Sequence, residues 1–233
     1  MIDRRHLVAG LVCASTLLAK QAAFASPVAA SDKIDWPEFV MRMKALSNRF
    51  VRGETDQSAM ERQGLGLITR LDINAPSFEQ AVSNSYESGN LFWLWQRLVK
   101  SGRLDGGILN IDQTQMIPLH DHPGATGMVR VISGETEVWQ FERLGEDIHK
   151  PGKAELRLVA RQILRPGDTA TITPDNGNIH ALRSVSNECR MLDFFIPPFD
   201  RAQLLYYEPT DENWFGKEHV SCRAIPRVEF TRS

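Results

Sequence analysis

Apolar residues recur at three- and four-residue spacing over most of 36–100, then alternate in short blocks broken by glycine and proline from residue 103 onward. The first pattern predicts helices with one buried face, the second a series of short strands. Trp36, Phe39, Val40, Met43, Leu46 and Phe50 share one face of a first helix. Asp35 stands at its N-cap, Pro37 in its first turn and Glu38 where a capping box needs it. A weaker helix is expected over 57–70, interrupted by Gly64 and Gly66, and Ser77 with Gln80 marks another start. Residues 90–100, with Leu91, Trp93, Leu94, Trp95, Leu98 and Val99, extend this region as a tryptophan-rich face packed against a sheet.

Strands are expected at 107–111, 115–119, 126–133, 135–142, 155–164, 169–173, 178–185 and 190–196. They are separated by Ser133-Gly134, Pro151-Gly152, Pro166-Gly167-Asp168 and Asp175-Asn176-Gly177. Many short strands with no helical period between them indicate a mainly β domain, an antiparallel barrel or jelly roll. In the tail, Tyr206-Tyr207 and 220–228 read as added edge strands. The resulting division is a helical segment over 26–102, packed on a barrel domain over 103–233.

The first 25 residues read differently. Arg4 and Arg5 precede a mostly apolar run from Leu7 to Leu18, and Ala23-Phe24-Ala25 is a small-x-small cleavage signal. The run is too short to span a bilayer, which takes about 20 apolar residues. Export is therefore expected, to the periplasm or outside the cell, with Arg4-Arg5 resembling a twin-arginine signal. Cleavage would remove three basic residues and one acidic residue, taking the formal charge from −2 to −4. Neither value suits nucleic acid or an anionic membrane surface as a partner. A monomer without stable membrane insertion is the expected mature state. Cleavage also removes Cys13, leaving Cys189 and Cys222. These could pair in an oxidising compartment, although Cys189 in its apolar strand reads as a small buried hydrophobe.

The chemistry concentrates in His120-Asp121-His122-Pro123-Gly124. Two histidines spaced by one residue on extended backbone point to the same side, and His180 offers a third imidazole from a later strand. Together they are read as a metal site inside the barrel. His149 and His219, beside Lys150 and Glu218, are read as solvated. Arg130 and Arg183 are candidate carboxylate binders, but alternation from inward Gly127 and His180 points both outward, and they are left out of the site. Asp193, between Leu192 and Phe194-Phe195-Ile196, would be costly to bury without a role or a partner.

The arrangement resembles the cupins. Their first motif runs His-x-His, four residues, Glu, six residues, Gly; here His120, His122, Gly127 and Gly134 keep each spacing, with glycine in place of the glutamate. Pro166-Gly167-Asp168, Pro174, Gly177 and His180 follow the order of the second motif, with one extra residue before the histidine. The resemblance implies a double-stranded β-helix. Three neutral imidazoles without a carboxylate leave a divalent metal its full 2+ charge, which favours an anionic ligand such as a thiolate.

Ile117-Pro118-Leu119-His120-Asp121-His122-Pro123-Gly124-x-Thr126 is more narrowly similar to the thiol dioxygenases of the cysteamine dioxygenase and plant cysteine oxidase group. So are Asn176-Gly177-Asn178-Ile179-His180, Leu192-Asp193, Pro197-Pro198-Phe199 and Tyr206-Tyr207. That resemblance implies iron, Fe(2+), held by His120, His122 and His180, with Asp193 as the active-site carboxylate. It implies a small thiol and O2 as substrates and a sulfinic acid as product. Phe199 stands where the plant enzymes have tyrosine, and Leu205 where a cysteine often precedes the tyrosine pair. Two other readings share the metal logic: a three-histidine dioxygenase of an enolisable carbon substrate, and a non-catalytic metal- or ligand-binding cupin of the cell envelope.

Overall fold

The computed structural model describes residues 32–87, 89, 91, 92, 94–145 and 149–230. The expected signal segment, the tether up to Ser31, and Trp93 lie outside the described residues. Three helices come first: α1 (Trp36–Val51), α2 (Gln57–Arg70) and α3 (Pro76–Glu87). The Asp35 carboxylate accepts from Glu38 N at 3.0 Å, as its N-cap position requires. Glu38 itself pairs with Arg42 one turn on rather than completing the capping box. Asp56 caps α2 in the same way, accepting from Ala59 N at 2.7 Å.

The sheet begins earlier than the sequence pattern suggests. Leu91–Phe92 (β1) and Trp95–Ser101 (β2) are strands, not a continuation of the helices. Leu98 and Val99 pack on the helical cluster, whereas Trp95 joins the core on the other side. A strand covered on both faces loses the alternation that would mark it, and a register shift between Arg97 and Val99 obscures the period further.

The remaining strands are β3 (Leu104–Asp112), β4 (Met116–His120), β5 (Thr126–Ser133), β6 (Thr136–Leu144), β7 (Gly152–Leu164), β8 (Thr169–Ile172), β9 (Ile179–Ser184), β10 (Glu188–Ile196), β11 (Leu205–Pro209) and β12 (His219–Pro226). All pair antiparallel, in two sheets. One is open, in the order β1-β2-β3-β10-β5-β8; the other closes on itself as β11-β12-β7-β6-β9-β4. The tail strands are therefore not edges. Strand β11 pairs with β4 through Tyr206 and His120, and β12 pairs with β7, so together they close the ring. Residues 227–230 form a short helix, α4 (Arg227–Phe230), which replaces the last two residues of the strand expected over 220–228.

Alternation along these strands sorts the core into layers. On β10, Leu192, Phe194 and Ile196 face the helices and pack with Phe39, Met43, Met60 and Ile108. On β6 and β9, Trp139, Phe141, Ile179 and Ala181 pack with Leu156, Tyr207, Trp214 and Val220. The alternate residues, among them Val129, Val138, Gln140, Leu182, Asp193 and Phe195, line a cavity between the two sheets. The result is a mainly β cupin barrel with a helical layer on its open sheet. Helix α2 approaches β5 closely: a Cβ at Gly64 would lie 2.4 Å from Met128 Sδ. Gly64 is thus the point of contact rather than an interruption. Cys189 and Cys222 are buried, unpaired among the described residues, and in different core clusters.

Candidate metal centre

His120 ends β4, His122 lies in the loop that follows, and His180 is the second residue of β9. Strands β4 and β9 pair directly, His120 opposite His180. Backbone pairing thus brings together two imidazoles sixty residues apart in sequence, and the third, His122, is tied to the residues before His180 through its backbone N–H to the Asn178 side chain. One nitrogen from each ring lies within 4.8 Å of the others. The ring centroids are 4.5 to 5.0 Å apart.

Two of the rings are oriented by backbone. Pro118 O accepts from His120 Nδ1 at 2.8 Å, and Asn178 O accepts from His180 Nδ1 at 2.9 Å. With the proton on Nδ1, each Nε2 keeps its lone pair for a metal. Asn178 also accepts from His122 N through its side chain at 2.8 Å, so one residue ties two candidate ligands together. Buried His122 Nδ1 has no hydrogen-bond partner among the described residues. Burial lowers the pKa of His120 to about 4 and of His180 to about 3, and it lowers that of His122 in the same direction. Neutral imidazoles, two of them fixed in one tautomer, are the donor set a divalent transition metal requires.

The place of the usual cupin glutamate is filled. A Cβ at Gly127 would lie 2.7 Å from Ile172 Cγ1 and 3.1 Å from Phe195 Cε1. A carboxylate-bearing side chain has no room there without displacing the wall of the cavity. The three-histidine set is thus built into the packing.

Asp121, between the two first histidines, points away from the cavity. It is 3% exposed and accepts from Leu205 N at 2.8 Å and from Tyr207 Oη at 3.1 Å. The ligand loop is anchored to β11 by this carboxylate. Tyr206, by alternation, faces the opposite way, lining the cavity with its ring 5.8 Å from that of His120.

The cavity measures about 120 Å³. Ile117, Ile172, Leu182, Phe195 and Phe199 make most of it apolar, and Phe199 lies 4.2 Å from the His122 ring. Asp193 lies in its wall. Burial first, then the charge of Asp105, raises its pKa to about 8. The buried Trp95 indole N–H lies close enough to ease that charge without making a hydrogen bond of ordinary geometry.

The sequence thus identifies His120, His122, His180 and Asp193, and all four line one cavity. Arg130 and Arg183 point outward. Arg130 donates to Ile68 O and Leu71 O at the end of α2, and Arg183 pairs with Glu137. Sequence reasoning misses Arg201 and Arg227, which also line the cavity. One follows the Pro-Pro-Phe segment in a loop and the other opens α4, so no periodic pattern marks either as inward.

Comparison with known proteins places these features in context. The PCO_ADO family profile matches residues 68–224. A probable 2-aminoethanethiol dioxygenase of Dictyostelium discoideum is 31% identical over 123 residues, covering 50% of this chain and 56% of that protein. The 2-aminoethanethiol dioxygenase of Mus musculus is 27% identical over 113 residues, covering 40% of this chain and 44% of that protein. The chain spans about half the length of the curated relatives it matches. Among solved structures, a conserved Klebsiella pneumoniae protein with a double-stranded β-helix domain superposes with a TM-score of 0.35 at 18% identity, over 45% of this chain and 76% of that one. The family profile runs from the end of α2 through all three histidines into β12, across more than half of the sequence, and the chain belongs to the PCO_ADO family.

Proposed function

We propose that this protein is an iron-dependent thiol dioxygenase, converting R–SH and O2 to the sulfinic acid R–SO2H. The observation that carries this reading is a three-histidine centre whose missing carboxylate position is occupied by Ile172 and Phe195. His120, His122 and His180 would hold Fe(2+), which would supply Lewis-acid binding of the thiolate and activation of O2. A neutral ligand set leaves the centre cationic, which favours the thiolate over the thiol.

The chain's own residues divide the remaining work. Pro118 O and Asn178 O hold the imidazoles in the tautomer that presents Nε2. Ile172, Phe195 and Phe199 exclude water from the reacting sulfur. Asp193 carries a proton on its carboxyl at neutral pH, since burial has raised its pKa to about 8. A substrate ammonium beside it would favour the carboxylate form, the proton leaving to solvent, and would be held as an ion pair, which makes Asp193 the amine-facing residue. We also propose, from Arg4-Arg5 and Ala23-Phe24-Ala25, that the protein acts after export and cleavage at Ala25.

The test combines metal analysis of protein purified from its own compartment with turnover under ¹⁸O2. Sulfinate carrying two labelled atoms, abolished in His180→Ala together with bound iron, is the expected result. Bound zinc with no O2 uptake from any thiol would instead identify a non-catalytic cupin.

A further inference from the structure

Asp193 on β10 pairs with Gly107 on β3. Residues directly opposite on antiparallel strands turn their side chains to one face, with Cβ atoms about 5 Å apart. Gly107 has none to turn, and Trp95 of β2 fills the space. A Cβ at Gly107 would lie 2.8 Å from Trp95 Cε2, the ring carbon bonded to the indole nitrogen. The nitrogen edge of the indole is thereby set beside Asp193, and both residues line the cavity. Two cations hold the ring in place. The Arg97 guanidinium lies 5.2 Å and that of Arg201 5.6 Å from its centroid, within the range of cation–π attraction. Arg97 is fixed in turn by two bonds to Asp105, at 2.9 and 3.2 Å, and the Asp105 charge acts on Arg201 as well.

The indole N–H can only donate, and among the described residues it meets no acceptor at ordinary hydrogen-bond geometry. It faces the Asp193 carboxyl and favours the ionised form of that group. A carboxylate accepts about twice as strongly as a neutral acid group, so ionisation of Asp193 is what completes this buried donor. We infer that Trp95 is a positioning residue acting through Asp193: its indole N–H orients the carboxyl and closes into a charge-assisted hydrogen bond when a substrate ammonium stabilises the carboxylate. Trp95 therefore matters to thiols that carry an ammonium and not to neutral thiols of the same size. This inference rests on the amine-facing role of Asp193 in the thiol reading of the site. Other groups also bear on Asp193. Asp105 on β3 opposes its charge, and Arg97 on β2 is engaged by Asp105. Arg201, Arg227, Tyr206 and the three histidines share the cavity wall, while the lining residues of β5 and β8 carry no charge. Deleting the Trp95 N–H leaves every one of these charges in place, so its effect can be read separately from theirs.

The test uses iron-loaded protein without oxygen and compares Trp95→Phe, which keeps an aromatic ring, with the wild type. Infrared difference spectra from about pH 6 to about 10 follow the C=O stretch of the protonated Asp193 carboxyl, with Asp193→Asn identifying the band. Without the indole N–H the carboxylate loses a donor, so the titration should move upward by about one pH unit. Calorimetry at neutral pH should then show 2-aminoethanethiol bound about tenfold more weakly, and 2-sulfanylethanol changed less than about twofold. In an Asp193→Asn background, Trp95→Phe should change neither affinity, because the residue it acts through is gone. An unmoved infrared titration overturns the proposal. So does an equal loss for both thiols in a folded variant, which would make Trp95 a wall of the cavity and nothing more. If thermal melts show that Trp95→Phe does not fold, Trp95→Met, which fills the same wall without a donor, carries the same comparison. A shifted titration with no sulfinate formed in air would uphold the positioning role and remove the dioxygenase reading. Sulfinate from 2-aminoethanethiol with an unmoved titration would do the reverse.

Discussion

Gly127 shows how much one missing side chain decides. Its neighbours already occupy the volume a side chain would need, with Ile172 Cγ1 2.7 Å from the position of a Cβ. Gly127→Ala should cost about 1–3 kcal/mol by overpacking, read as a Tm several degrees lower. Combining it with Ile172→Ala removes the clash, so the double variant should be more stable than the sum of the two single losses by at least about 0.5 kcal/mol. Strict additivity would mean the contact does not exist. Asp121 is the second decisive residue. Asp121→Ala strands the Leu205 N–H and the Tyr207 hydroxyl in a buried site, a loss of about 1–3 kcal/mol. Denaturant unfolding should show that loss, and Asp121→Asn, which keeps an acceptor oxygen, should show less of it.

At the scale of elements, the helical layer has its own logic. Helix α2 lies on β5 where Gly64 meets Met128, and Arg130 from β5 satisfies the carbonyls of Ile68 and Leu71 at and just beyond the helix's end. Gly64→Leu would force Met128 aside and lift the helix. Lower stability by about 1–3 kcal/mol is expected in thermal melts, with metal stoichiometry unchanged, because Met128 faces the helices while Gly127 and Val129 face the cavity. Loss of bound metal in this variant would show that the layer also shapes the site. The ligand-bearing strands depend on each other in the same way. Pairing of β4 with β9 sets His120 opposite His180, and β11 closes the ring against His120 through Tyr206.

For the whole molecule, pH dependence follows from which groups burial keeps neutral. The three histidines have pKa values below their unfolded value of about 6.5, so the unfolded chain binds more protons as pH falls and the metal-free protein loses stability below about pH 6.5. Asp193 works in the opposite sense. Its pKa of about 8 exceeds the unfolded value of about 3.9, so the folded state binds more protons and stability falls as pH rises toward 8. Asp121, raised to about 6, shares that sign below pH 6. Three histidines outweigh two carboxylates, so the metal-free melting temperature should rise from pH 4 to about 6.5 and then decline. Asp193→Asn should flatten the decline between pH 6.5 and 8. A wild-type Tm that keeps rising to pH 8 would contradict the burial assigned to Asp193.

Local chemistry made part of this protein legible in advance. The cap at Asp35, the glycine- and proline-marked breaks, most strands of the barrel, and the three histidines with Asp193 all carry signals within a few residues, because caps, turns and a His-x-His pair are short-range features. Fold class followed from the same signals. What needed the tertiary structure was anything set by partners distant in sequence. Strand β2 hid its period because both its faces are covered, and β11 and β12 became ring strands rather than edges only through pairing with β4 and β7. Arg201 and Arg227 enter the cavity from a loop and a short helix, where no repeat of side-chain direction exists to be read. Residue types and spacing, with Gly127 in place of a glutamate, pointed to a three-histidine site without a carboxylate; that Ile172 and Phe195 fill the space a side chain at 127 would need was decided by contact across strands, which only the tertiary structure brings together.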